Sequence, residues 1–256
     1  RPARIDAKPV RTVVLDAGHG GYDQGATSIL GNEKDFAFDV VERARDLLTK
    51  AGFNVRLTRF GDVFIPLEDR AAFANRQSNA IFVSVHFNAG VREDAGGIET
   101  YSLAPRGVPS TNSMNLTVSD FEPCIGNIRD PENIALATAM HAALITRVGA
   151  SDRGIKRARF AVLRNTSIPA VLIEGGFLTN PQDRLRIATP LYRQLIAQSI
   201  LQGVLSYNRA LSRTGTSDKM MVKRTESSGA GSADPGIPIW DPMKPNAYTL
   251  PEDGRK

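Results

Sequence analysis

Short apolar runs alternate with longer amphipathic stretches along most of the chain. Runs at 10–15 (VRTVVL), 53–58 (FNVRLT), 80–85 (AIFVSV), 97–102 (GIETYS), 160–163 (FAVL) and 170–173 (AVLI) have strand length and are rich in β-branched and aromatic residues. Between them, 33–51 repeats Phe36, Val40, Ala44, Leu47, Leu48 and Ala51 at helical spacing, and Gly52 supplies a stop. Further helices are predicted over 66–75, opened by Pro66, over 131–148, after an Asn180-Pro181 cap, and over 191–211.

Strand, helix, strand, helix, strand implies right-handed parallel crossovers. The short link between the third and fourth runs allows an antiparallel neighbour there. The fold class is therefore α/β, an open and mostly parallel sheet flanked by helices, in a single domain. That domain spans 10–211, with a polar lead-in at 1–9. The stretch 103–130 interrupts the pattern with Pro, Gly, Ser and Asn and little periodicity, as functional or mobile loops do. From 212 to 256 the chain is rich in Gly, Ser and Pro and reads as a tail or linker, with one apolar island at Ile237, Ile239 and Trp240.

Composition adds little. The 256 residues are 41% hydrophobic and 23% charged, with a net charge of +5. That mild excess suits an anionic polymer, but no basic stripe with interleaved aromatics points to nucleic acid. No apolar run has the ~18 residues of a membrane span. Cys124 is the single cysteine, so an internal disulfide or a cysteine-based zinc cluster is excluded. The opening RPARIDAKPV shows no initiator Met and no signal segment.

The candidate chemistry sits at strand ends. His19 (VVLDAGHGG), His86 (IFVSVHFNA) and Glu174 (AVLIEGG) each follow an apolar run, and Glu33 opens the first long helix. Ligands collect outside the carboxyl ends of strands in open α/β sheets. The side chain of Glu33 leans back toward the same edge. Two His plus one carboxylate form a catalytic zinc set, and a remaining carboxylate then serves as base. Taken singly, His86 also reads as a satisfied core residue and Glu33 as an acid favoured by the helix dipole. Asp16 is expected to orient the loop or a ligand's second nitrogen. Asn88 and Arg164 lie close to these motifs as candidate substrate contacts, Arg164 by bidentate pairing with a peptide carboxylate. His141 and Cys124 read as structural.

Taken in order, VVLDAGHGGYDQGA, the Glu33-Lys34 helix start, SVHFNA and FAVLR…PAVLIEGGFLTN resemble the motif blocks of the zinc-dependent N-acetylmuramoyl-L-alanine amidases, a family of bacterial cell-wall enzymes. The resemblance covers 11–211. It implies a mixed, mostly parallel sheet, a Zn2+ cofactor held by His19, Glu33 and His86, and Glu174 as catalytic base. The implied reaction hydrolyses the amide between N-acetylmuramic acid and L-alanine, in wall remodelling or daughter-cell separation. Peptidoglycan is then the partner and the setting extracytoplasmic, in periplasm or cell wall. The chain is expected to act as a monomer, with a protein activator as a further partner. Some division amidases carry an autoinhibitory helix where this chain has 103–130. The weakly helical sequence favours a lid-like loop instead, with Glu122 as the candidate occluding contact. Alternatives are a zinc peptidase acting within stem peptides and a non-catalytic wall-binding or activator module.

Overall fold

The computed structural model describes residues 9–111, 113 and 115–227, with side chains through 213. The lead-in before residue 9 and the Ile237, Ile239 and Trp240 island lie outside the described residues. Contacts divide the chain into Arg1–Ser217, which holds the whole sheet, and Asp218–Lys256.

In chain order the elements are β1 (Thr12–Ala17), the small hairpin β2 (Thr27–Ser28) and β3 (Gly31–Asn32), α1 (Glu33–Lys50), β4 (Asn54–Leu57), α2 (Leu67–Asn75), β5 (Ala80–Asn88), β6 (Ile98–Leu103), α3 (Asp130–Val148), β7 (Asp152–Ala158), α4 (Ala161–Arg164), β8 (Ala170–Phe177), α5 (Pro181–Ile187) and α6 (Pro190–Ser227). Two 3₁₀ turns, Val118–Phe121 and Ile125–Arg129, lie between β6 and α3.

The six-stranded sheet has the order β4-β1-β5-β8-β6-β7. All neighbours are parallel except β8 and β6. The expected mixed, mostly parallel sheet is therefore present. The antiparallel strand β6 lies beside β8, not beside β5 as the short link suggested. Helices cover both faces. Val13, Leu15, Val83, Val85 and Ile173 pack with Val40 and Leu48 of α1, Met140 of α3 and Ile200 of α6. Val14, Phe82 and Leu172 pack on the opposite face with Ala74 of α2 and Val162 and Leu163 of α4. The strictly buried strands β1 and β8 explain their continuous apolar runs.

Three elements differ from the sequence reading. β7 carries the polar run DRGIKRA on the sheet's edge, where charged residues are favoured and apolar alternation is lost. The run 160–163 enters the one-turn helix α4 (Ala161–Arg164), capped by Phe160, instead of a strand; four apolar residues cannot distinguish the two. The last helix continues to Ser227, past the predicted tail boundary at 211. The Asn180 cap is formed as expected: its side chain accepts the backbone N–H groups of Gln182 and Asp183.

Candidate metal centre

β5 and β8 run further than their apolar cores suggest, so His86 and Glu174 end up inside strands, paired in register across the two. His19 stands on the loop after β1, with φ +59° in the left-handed region. Two buried arginines fix that loop. Arg70 donates to Asp16 Oδ1 (2.8 Å), to the Ala17 carbonyl (2.6 Å) and to the His19 carbonyl (2.7 Å). Arg59 donates to the carbonyls of Ala17 (3.0 Å), Gly18 (3.1 Å) and Lys34 (2.7 Å), joining the loop to the start of α1. A buried guanidinium has five donors to satisfy, and consecutive loop carbonyls satisfy them. The same bonds set where the His19 side chain can point.

The side chains meet at Glu33. Its Oε1 lies 3.0 Å from His19 Nε2 and 2.8 Å from His86 Nδ1. Oε1 also accepts the Phe87 N–H (3.1 Å), and Oε2 accepts the Ala26 N–H (2.8 Å). The two imidazoles are edge-to-face with centroids 5.0 Å apart. His19 Nδ1 lies 2.9 Å from Asp23 Oδ2, which holds that nitrogen as the donor and turns Nε2 inward. Glycines make this convergence possible. A Cβ on Gly18 would fall 2.3 Å from His86 Cε1, and one on Gly25 would fall 2.5 Å from Glu33 Oε2. One ligand atom from each of His19, Glu33 and His86 lies within 4.8 Å of the others, so the group can hold a metal ion.

All three residues line a cavity of about 560 Å³, with Glu174 beside them and Leu67, Phe160 and Val162 as an apolar wall. Glu174 is buried, and its Oε2 has no hydrogen-bond partner among the described residues. Burial, with the negative charges of Glu33 and Glu99 added, pushes its carboxyl well above the usual range. Burial also disfavours the Glu33 carboxylate, yet hydrogen bonds from His19 and His86 outweigh it and hold that group well below its ordinary value. For His19, burial is offset by Glu33 and Asp23, and its pKa is raised. Two carboxyl groups in one cavity are thus driven in opposite directions.

The remaining expected residues are distributed as follows. Asn88 lines the same cavity, with Nδ2 donating to Glu99 Oε2 (3.1 Å). Asp16 takes the first of its two expected roles: it orients the loop through Arg70 and accepts from Thr58 and Ser84, but it touches neither imidazole. Arg164 and Glu122 line a neighbouring cavity, not this one. The expected occluding contact of Glu122 is therefore not formed, because the 3₁₀ turns pack its segment beside α4, away from the cluster. His141 is structural, between Thr100 Oγ1 (2.9 Å) and Asp152 Oδ1 (2.8 Å). Sequence reasoning missed Asp23, Arg59, Arg70 and Glu99. Asp23 is four residues from His19, but the Gly-rich loop gives no periodicity from which to place it.

The family model of N-acetylmuramoyl-L-alanine amidases matches residues 13–206. The chain belongs to this amidase family. Among curated relatives, the amidase AmiA of Escherichia coli (strain K12) is 30% identical over 219 residues, covering 77% of this chain and 76% of the relative. Among solved structures, an N-acetylmuramoyl-L-alanine amidase from Clostridium difficile 630 is 33% identical with a TM-score of 0.65, covering 78% of this chain and 97% of that one. The CwlD amidase from Clostridioides difficile, solved in complex with the GerS lipoprotein, is 25% identical with a TM-score of 0.65, covering 78% and 99%. The chain is thus a hydrolase of the bond between N-acetylmuramic acid and L-alanine in peptidoglycan, and the reading as a non-catalytic module is dropped. No described helix is long and apolar enough to cross a membrane.

Proposed function

We propose that His19, Glu33 and His86 hold a zinc ion and that Glu174 is the proton-transfer group of this amidase. The observation that carries the reading is the pairing of a metal-competent cluster with a buried, partnerless carboxyl oxygen in one cavity. The donor set fits zinc: two imidazoles, one carboxylate and no thiolate, with a coordination position left over. When bound, the ion supplies Lewis acidity, acidifying a water and polarising an amide carbonyl.

The chain's own residues do the rest. Glu174 takes a proton from the attacking water and returns it to the departing alanine nitrogen, as the C–N bond breaks and a carboxyl group forms on the lactyl carbon. Its raised affinity for a proton suits that second step. Asp23 keeps His19 in the tautomer that presents Nε2. Leu67, Phe160 and Val162 give the cavity an apolar wall beside the reacting groups. Asn88 Nδ2 has two hydrogens and makes one bond among the described residues, which leaves a donor for substrate. The enzyme acts outside the cytoplasmic membrane, where its substrate lies, and as a monomer. That a similar amidase, CwlD, was solved in complex with a lipoprotein supports a protein partner for this chain too.

Metal analysis of the purified protein, with mass spectrometry of muropeptides before and after incubation, tests the reading. One zinc per chain and release of peptides starting at L-alanine are expected. Failure to take up zinc on reconstitution would overturn the ligand set. Cleavage within the stem peptide would favour the peptidase reading.

A further inference from the structure

Beside the metal centre lies a second cavity of about 440 Å³, bordered by Ser119, Glu122, Cys124, Arg159, Arg164 and Asn165. Residues 159–165 are a wall shared by both. Phe160, Ala161 and Val162 face the metal cavity, while Arg159, Arg164 and Asn165 face the second. The opposite wall comes from the 3₁₀ turns of the 103–130 segment. That wall is built, not loose. A capping box joins Thr117 and Asp120, and Asn127 Nδ2 donates to the Ala104 carbonyl (3.0 Å). Arg159 is tied to that wall, forming an ion pair with Asp120 Oδ1 (3.3 Å) and donating to the carbonyls of Pro105 (3.0 Å) and Asp120 (2.6 Å).

Two charges in this cavity are not engaged. The Arg164 guanidinium and the Glu122 carboxylate form no hydrogen bond or ion pair with any described residue, and they stand beyond ion-pair distance of each other. One free cation and one free anion in one cavity match a ligand carrying both a carboxylate and an ammonium group. Along a stem peptide cut at L-alanine, the second residue offers a carboxylate alone. A lysine at the third position offers an ammonium alone. A third residue whose side chain ends in an α-amino-acid group, as diaminopimelate does, offers both.

We propose that this second cavity is a specificity subsite for the zwitterionic side-chain end of a diamino acid at the third stem position, with Arg164 on its carboxylate and Glu122 on its ammonium group. The proposal rests on the amidase reading above. It also gives the 103–130 segment a role as a subsite wall in place of a lid.

The test compares kcat/KM of the full zinc-loaded chain on soluble muramyl tripeptides ending in diaminopimelate, its side-chain carboxamide, or lysine. The wild type is expected to prefer free diaminopimelate. Arg164→Ala should lower kcat/KM on that substrate by about tenfold or more, the scale of a lost charge-assisted hydrogen bond, and abolish discrimination against the carboxamide. Lysine substrate should be unaffected. Glu122→Gln should slow the diaminopimelate and lysine substrates alike. Both side chains are exposed, so unchanged melting temperatures are expected of the variants. Equal losses by Arg164→Ala on all three substrates, or a wild type indifferent to them, would overturn the subsite. If the wild type cleaves none, the amidase reading fails instead. Calorimetric binding of the free diaminopimelate tripeptide to wild type and Arg164→Ala then decides the subsite separately: weaker binding by the variant supports it, equal or absent binding refutes it.

Discussion

Glu174 stands directly across from His86, the two residues being in register on the parallel strands β8 and β5. Strand spacing of about 4.8 Å therefore sets the distance between the proposed base and a proposed ligand. Glu99 occupies the matching position on the other side, across from Glu174 on β6. Three consecutive strands thus place His86, Glu174 and Glu99 in a row across the sheet, and the first two line the cavity. Glu99 beside it adds to the burial that raises the affinity of Glu174 for a proton.

Replacing Glu174 with Gln removes the proton carrier and keeps the shape. Zinc stoichiometry should be unchanged while turnover on muropeptides falls by about 10²- to 10⁴-fold. Retained full activity in E174Q would remove Glu174 from the mechanism.

The same substitution has a stability signature in chelated protein. Folding raises the Glu174 pKa above its unfolded value, so the folded state holds the extra proton. That contribution is complete below the unfolded value near 4.5 and is lost as pH rises toward the folded value. Glu174→Gln removes the titration, so its stability relative to wild type should improve between pH 4 and pH 7. Urea midpoints at both pH values measure this, and a gap that does not change with pH would contradict it.

Asp23 holds the outer nitrogen of His19 at 2.9 Å. Asp23→Asn keeps the size and removes the charge. Competition with a chelator should show zinc affinity lowered by about 10- to 100-fold, with the fold intact by circular dichroism. Unchanged affinity would mean that the loop clamp of Arg59 and Arg70 orients His19 unaided.

Gly18 lies outside the left-handed region, so alanine there brings no backbone penalty, only a methyl group 2.3 Å from the His86 ring. Gly18→Ala should cost about 1–3 kcal/mol of stability through overpacking. It should also displace His86 enough to weaken zinc binding. A crystal structure with zinc bound and His86 unmoved would show that the loop absorbs the methyl group.

Much of this was legible along the chain because it depends on local pattern. Apolar runs marked five of the six sheet strands, and the helical spacing of Phe36, Val40, Ala44 and Leu48 marked α1. His19, Glu33, His86 and Glu174 stood out because parallel crossovers send all strand ends to one edge. β7 was hidden because an edge strand needs little apolar surface, and α4 because one turn has no period to read.

What the sequence by itself determined is the architecture and the choice of chemistry-bearing residues, since periodicity and strand-end position are properties of the chain. Tertiary structure alone decided the rest. Strand order put β8 between β5 and β6, and so put Glu99 beside Glu174. Long-range hydrogen bonds brought Arg59 and Arg70 onto the His19 loop from 40 or more residues away. Packing of the 3₁₀ turns sent Glu122 to the cavity that Arg164 borders instead of the metal centre. None of these has a local signature, because each is set by which surfaces remain to be buried once the sheet has formed.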